Sequence, residues 1–232
     1  MAIPQPRLAT VWSVLTVLVW LFGMHDHADA SGRATMTMSN FLINKPQIPS
    51  LILISGCTGT GKSTFGMEVA IQKGILKCIS TDTIRQTMRT FDNTPALHRS
   101  SFAGEGDVIA EWRECCSVLD AAIENIVMDC VRRGTSLVLE GVHIVPSKSL
   151  IDKWTAEGGF AVGAVLTIPD PDIHKKVIFR RGMQTGKGAE AQVNKFNRIR
   201  AIHDEMFRLG KVRFCAQSKV AHPSCASYLT PC

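Results

Sequence analysis

The sequence predicts an α/β fold in which a parallel sheet carries helices on both faces. Three observations lead there. Short apolar runs alternate with amphipathic stretches, glycine or proline marks most junctions, and the most glycine-rich junction lies between an apolar run and a helical pattern. Such alternation needs crossover connections, which bring successive strands parallel.

LILIS (51–55) is an apolar run closed by glycine, suited to a strand buried on both faces. A helix follows over 63–73, then a second strand, ILKCIS (75–80), and a short helix, DTIRQTMRTF (82–91), opened by Asp82 as an acidic cap. The stretch NTPALHRSSFAGEG is rich in turn formers and reads as a loop. Between Asp107 and Arg133, apolar residues recur at Val108, Trp112, Cys115, Leu119, Ile123, Ile126 and Cys130. Steps of three and four make one face of a long helix, closed by Gly134. TSLVLEG (135–141) is a third strand, SKSLIDKW a helix, and FAVGAVLTI (160–168) a fourth strand stopped by Pro169 and Pro171. Helical segments over 173–181 and 189–209 flank GMQTGKG, which reads as flexible.

The chain has 232 residues and 45% hydrophobic content, enough for one α/β domain of about 150–200 residues plus extensions. The expected organisation is a hydrophobic signal-like or anchor segment over 1–30, a linker over 31–50, the domain over 51–210 and an atypical tail over 211–232. Residues 8–24 carry no charge, follow Arg7 and precede the A-x-A pattern at Ala28, Asp29 and Ala30, the layout of a secretory signal. Three readings fit this segment: a signal or anchor, an organelle-targeting segment, or an extension ahead of a start at Met36 or Met38. Membrane contact is expected only if residues 8–24 are an anchor. The eight cysteines form no C-x-x-C pair, and Cys57, Cys78, Cys115, Cys116 and Cys130 fall in regular elements, as small core residues of a reducing compartment do. The domain is therefore expected in the cytoplasm, with secretory, organellar and membrane-anchored placement left open by the first segment.

The net charge of +6 is concentrated: residues 174–211 hold ten Lys or Arg against three Asp or Glu. Such a strip suits a polyanion. Stacking aromatics are sparse there (Phe179, Phe196, Phe207), and the chain has a single tyrosine, Tyr228, so a small phosphorylated ligand is expected and nucleic acid is not.

Chemistry concentrates in four places. Gly56, Cys57, Thr58, Gly59, Thr60, Gly61, Lys62 and Ser63 satisfy G-x-x-x-x-G-K-[ST] between a strand and a helix, the context this phosphate-binding loop requires, and Thr64 continues it. Glycines let consecutive N–H groups face phosphates, Lys62 reaches the β and γ oxygens of ATP, and the Ser63 hydroxyl holds Mg²⁺. Glu140, at the carboxyl end of the third strand, is placed to orient the metal or its water, and His143, three residues on, is a candidate to touch the substrate or else a structural histidine. Asp82 and Arg85 stand one helical turn apart after the second strand, a pairing able to orient an acceptor hydroxyl and grip an anionic acceptor bidentately. Arg180 and Arg181 precede GMQTGKG, with Lys187 inside it, as the arginines of a closing lid would. Each has a plainer reading: a chance turn, a solvated carboxylate, a capping residue with a surface ion pair, a basic face.

With these residues in place the sequence resembles the 2-phosphoglycerate kinase-like P-loop proteins, above all the plant low-phytic-acid type. The resemblance runs through SGCTGTGKSTFGMEVA, GILKCISTDTIRQTMR, PALHRSSF, LVLEGVHIVP and FNRIRAIHDE, from Leu51 to about Arg208. It implies a P-loop NTPase three-layer sandwich using ATP and Mg²⁺ on a small phosphorylated acceptor. In archaeal members that acceptor is 2-phosphoglycerate, and the plant branch is linked to phytic acid metabolism. By position, the acceptor side falls near Asp82, Arg85, His98 and Arg99, and lid arginines on Arg180 and Arg181. Family members continue into a further strand and helix, where this chain has KVRFCAQSKVAHPSCASYLTPC, so the fold is expected to lack its last strand. Three functions follow for test: a kinase acting on 2-phosphoglycerate or an inositol phosphate, a nucleotide-binding protein without turnover, and a polynucleotide end kinase.

Overall fold

The computed structural model describes residues 17–18, 48–102, 104–185 and 195–215. Four parallel strands, β2 (Ser50–Gly56), β3 (Lys77–Ser80), β4 (Leu137–Gly141) and β5 (Phe160–Leu166), form its centre. Counting β1 (Val17–Leu18), the order is β1-β5-β2-β4-β3. β1 lies within the apolar segment 8–24 and pairs antiparallel with β5, Val17 opposite Leu166. The rest of that segment, the linker up to residue 47 and the tail from residue 216 lie outside the described residues. Among the described residues no strand follows β5, and no helix is long and apolar enough to cross a membrane.

The two-residue period of the strands decides which helix packs where. Ile54, Val138 and Leu166 turn to one face and meet Ala70 of α1 (Lys62–Gln72). Leu51, Leu53, Leu137 and Leu139 turn to the other, where they meet α2 (Thr81–Met88), α4 (Val108–Arg132) and α5 (Ser149–Ala156) through Ile84, Leu119, Ile123, Val127, Ile151 and Trp154. At about 2 kcal/mol per fully buried large aliphatic side chain, these two layers supply the main drive to fold. A third cluster, beyond the carboxyl ends of the strands, joins Trp112 and Cys116 of α4 to Ile178 of α6 (Pro171–Thr185) and to Ile199, Ile202 and Met206 of α7 (Phe196–Cys215).

Four expectations are corrected. The turn-rich stretch after α2 contains a short helix, α3 (Pro95–His98), opened by proline and anchored by buried Ala96 and Leu97. Asp82 does not cap α2: Ser80 does, its hydroxyl accepting from the Asp82 amide at 3.2 Å. α6 does not stop at Arg181 but runs through Gly182 to Thr185, so the first half of GMQTGKG is helical. α7 runs to Cys215, past residue 210. Along α4 the expected apolar stripe is present, with Trp112, Cys115, Leu119, Ile123 and Cys130 buried, Val108 and Ile126 half-buried, and Cys116, Val127 and Val131 widening it.

Candidate functional site

Register brings the carboxyl ends of three strands level. Glu140 stands opposite Ile54 of β2 and Ser80 of β3, so the loops leaving all three strands open onto one edge. The loop from β2 is closed on itself. Thr60 Oγ1 donates to the Cys57 carbonyl at 2.9 Å, and a Cβ on Gly56 would stand 2.6 Å from that hydroxyl oxygen. Gly59 and Gly61 have φ of +85° and +82°, left-handed values that glycine adopts without a Cβ clash. No side chain caps α1 at Gly61, which leaves the first amides of the helix for an anion. Cys57 is fully covered, and its Sγ donates to the Ile199 carbonyl at 3.3 Å. Burial, the largest influence, pushes that thiol up to about 12.

Lys62, Ser63 and Glu140 meet beside this loop. Ser63 Oγ donates to Glu140 Oε1 at 3.0 Å, and Lys62 Nζ lies 4.0 Å from Glu140 Oε2. Glu140 is 4% exposed, and its Oε2 has no hydrogen-bond partner. A buried, unpartnered carboxyl oxygen beside a serine hydroxyl is a ligand pair suited to a hard cation. Among the described residues no three His, Cys, Asp or Glu side chains assemble a metal cage, so such a cation would complete its shell with phosphate oxygens and water.

Across a cleft of about 130 Å³ stand Asp82, Arg85, Ser100, Ser101, Phe102, Val142 and His143, facing Thr58, Lys62 and Ser63, with Arg181 also in the lining. The packing of α2 on β4 requires glycine at 141, because a Cβ there would meet Thr81 Oγ1 at 1.8 Å. This close approach puts Thr81 Oγ1 3.1 Å and Asp82 Oδ1 3.6 Å from His143 Nδ1. On the other ring nitrogen, Arg85 Nη1 and Ser101 Oγ lie at 3.4 and 3.2 Å. A guanidinium only donates, so Nε2 of His143 accepts and Nδ1 carries the proton toward Thr81. Burial chiefly pushes the His143 pKa down to about 4; Arg85 and Lys62 act the same way, while the nearby Asp82 opposes them without winning. The Asp82–His143 contact is therefore between a carboxyl group and a neutral imidazole.

Arg85, expected to grip an anion, lines the cleft, and its guanidinium is also bonded to the wall itself. Its Nε donates to the Leu97 carbonyl at 2.8 Å and Nη2 to the carbonyls of Ala96 (3.2 Å) and Arg99, while Nη1 faces Ser101 and His143. All five guanidinium N–H groups are thus engaged, and Arg85 holds the 96–101 segment against the cleft. His98 and Arg99 lie outside the lining: His98 Nε2 is 3.0 Å from the Asp92 carbonyl, and Arg99 pairs with Glu114 at 2.5 Å. The hydroxyls of their neighbours Ser100 and Ser101 face the cleft instead, and sequence reasoning missed them because polar loop residues carry no periodicity. Of the two arginines expected to act as a lid, Arg181 lines the cleft and Arg180 does not, since successive helical residues diverge by about 100°. Lys187 lies outside the described residues. The basic strip is partly neutralised: Arg200 pairs with Asp204 and Arg208 with Glu205 inside it, and Arg198 pairs with Glu111 of α4.

A glycine-turned phosphate loop entering a helix at Lys62, with a buried acid at the end of the neighbouring strand, places the chain in the P-loop class of α/β proteins. Within that class its similarity is to 2-phosphoglycerate kinases. Those of Methanocaldococcus jannaschii and Methanopyrus kandleri are 33% and 32% identical to it, over 174 and 176 residues. Each match covers 70% of this chain but 56% and 53% of the relative, so the chain spans about half the length of the curated relatives it matches. No family model matches the sequence. Among solved structures, a gluconokinase from Sinorhizobium meliloti is similar at a TM-score of 0.31 and 15% identity, covering 73% of this chain and 98% of that one. Over the matched residues the chain is similar to the archaeal 2-phosphoglycerate kinases, as the resemblance implied.

Proposed function

We propose that the chain is an ATP-dependent phosphotransferase acting on a small phosphorylated acceptor. The observation that carries this reading is the two-sided cleft, with Lys62, Ser63 and Glu140, whose Oε2 has no hydrogen-bond partner, beside the phosphate loop and Asp82 with Ser100 and Ser101 opposite. Loop amides and Lys62 bind the polyphosphate of ATP and hold its terminal group toward the far wall. Ser63 and Glu140 are the residues that would hold Mg²⁺, which would supply charge neutralisation for the transferring phosphoryl group. Asp82 orients the acceptor hydroxyl and takes its proton at the exposed carboxylate, which lies 3.6 Å from His143 Nδ1. Arg181 adds positive charge at the cleft lining. Catalysis of this kind rests on positioning and charge stabilisation.

The relatives' names favour 2-phosphoglycerate as acceptor, and an inositol phosphate is the competing choice. The deciding measurement is ADP release by the full chain with each compound. Acceptor-dependent turnover is expected with one of them, reduced by at least a hundredfold in Lys62→Ala, a loss of about 3 kcal/mol in transition-state binding. ATP binding without any acceptor-dependent turnover above the Lys62→Ala background overturns the kinase reading in favour of a nucleotide-binding protein.

A further inference from the structure

His174 was not singled out by its sequence context, yet it is fully enclosed, with no exposed surface. Its Nε2 lies 2.8 Å from the carbonyl oxygen of Thr58, in the middle of the phosphate loop and 116 residues away in sequence. A carbonyl only accepts, so Nε2 carries the proton and the neutral ring has a bare Nδ1. That Nδ1 has no hydrogen-bond partner. The ring is packed edge-on by Phe196, with centroids 5.6 Å apart, and lies 5.1 Å from the ring of His203.

His203 is itself fixed. Its Nε2 accepts from the Ile168 amide at 3.0 Å, and its Nδ1 faces Asp204 Oδ1 at 2.9 Å. His174 therefore backs the phosphate loop with a neutral, oriented ring and His203 stands behind it; burial, the largest influence on each, lowers both pKa values.

The same face of α6 continues along the loop. Positions 174, 178 and 181 are spaced i, i+4, i+7 and share one side of a helix. Ile178 abuts Gly59 so closely that a Cβ on that glycine would stand 3.0 Å from Ile178 Cγ1 and 3.5 Å from His174 Cδ2. Arg181 then lines the cleft beside Thr58. The start of α6 is pinned in turn by Asp170, whose Oδ1 accepts from the amides of Asp172 and Ile173 at 2.8 and 3.2 Å.

We propose that His174 is a positioning residue that fixes the phosphate loop from behind and ties its shape to the helix carrying Arg181. The inference rests on the phosphotransferase reading only for its consequence in ATP binding; the structural tie is measurable without nucleotide. Amide hydrogen exchange of the full chain, free of ligand, is compared among wild type, His174→Leu and His174→Gln. Leucine removes the donor, whereas the glutamine amide can reach Thr58 in place of Nε2. Exchange across residues 57–63 should rise about tenfold in His174→Leu and stay near wild type in His174→Gln. Unchanged exchange in His174→Leu, or an equal rise in both variants, overturns the proposal. Should His174→Leu fail to fold, the wild type decides: ¹⁵N shifts of the His174 ring must report the Nε2–H tautomer at pH 7, and an Nδ1–H tautomer refutes the tie to Thr58. Where wild type fails to bind ATP, the kinase reading falls while the exchange comparison still judges His174.

Discussion

A lysine cannot replace Arg85. Three carbonyls, those of Ala96, Leu97 and Arg99, converge on one guanidinium, and an ammonium at the end of a different stem cannot reach all of them. Each buried carbonyl left unpaired costs about 1 kcal/mol, so Arg85→Lys should lower stability by about 2–3 kcal/mol in urea unfolding. A residue that served only to grip a ligand anion would change stability by less than about 0.5 kcal/mol. The same position shows how far the residues alone could be read. An acid and an arginine one turn apart at a strand end did locate the cleft wall, and Asp82 lines it. The guanidinium's actual partners are backbone carbonyls, which leave no mark in a sequence, so its work inside the wall was illegible. Glu140 and Ser63 were legible as a pair because strand ends and motif spacing fix both, and their 3.0 Å contact follows from the register.

Among the elements, α4 is the longest described and ties the two sides of the domain together. Its start depends on Asp107, whose Oδ1 accepts from the amides of Ile109 and Ala110, both at 2.8 Å. Asp107→Ala should cost about 1 kcal/mol of unfolding free energy while kcat/KM for the acceptor stays within about twofold, because the cap is remote from the cleft lining. Thermal unfolding and initial rates on the same preparation check both halves. Strands and long helices were readable because burial imposes a period of two or near 3.6 on the residues. α3 and the continuation of α6 were not, since four residues are too few to show a period and Gly182 argues locally against a helix that tertiary packing nevertheless carries on.

At the scale of the whole molecule, three buried histidines set the response to acid. Burial is the largest cause of lowered pKa at His143, His174 and His203, so each binds a proton more weakly folded than unfolded. The unfolded chain takes up protons first as pH drops below about 6.5, and stability should fall from there toward the His143 value of about 4. Urea midpoints at pH 7.5, 6 and 5 should decline in that order, and a midpoint as high at pH 5 as at 7.5 would contradict the burial of neutral rings. Cys57 behaves differently. With its sulfur enclosed between the phosphate loop and α7 and its ionisation displaced to about 12, neutral solution contains almost none of the thiolate that electrophiles and oxidants attack. The nucleotide loop is thereby insulated from the redox state of its surroundings, although a cysteine occupies its second position.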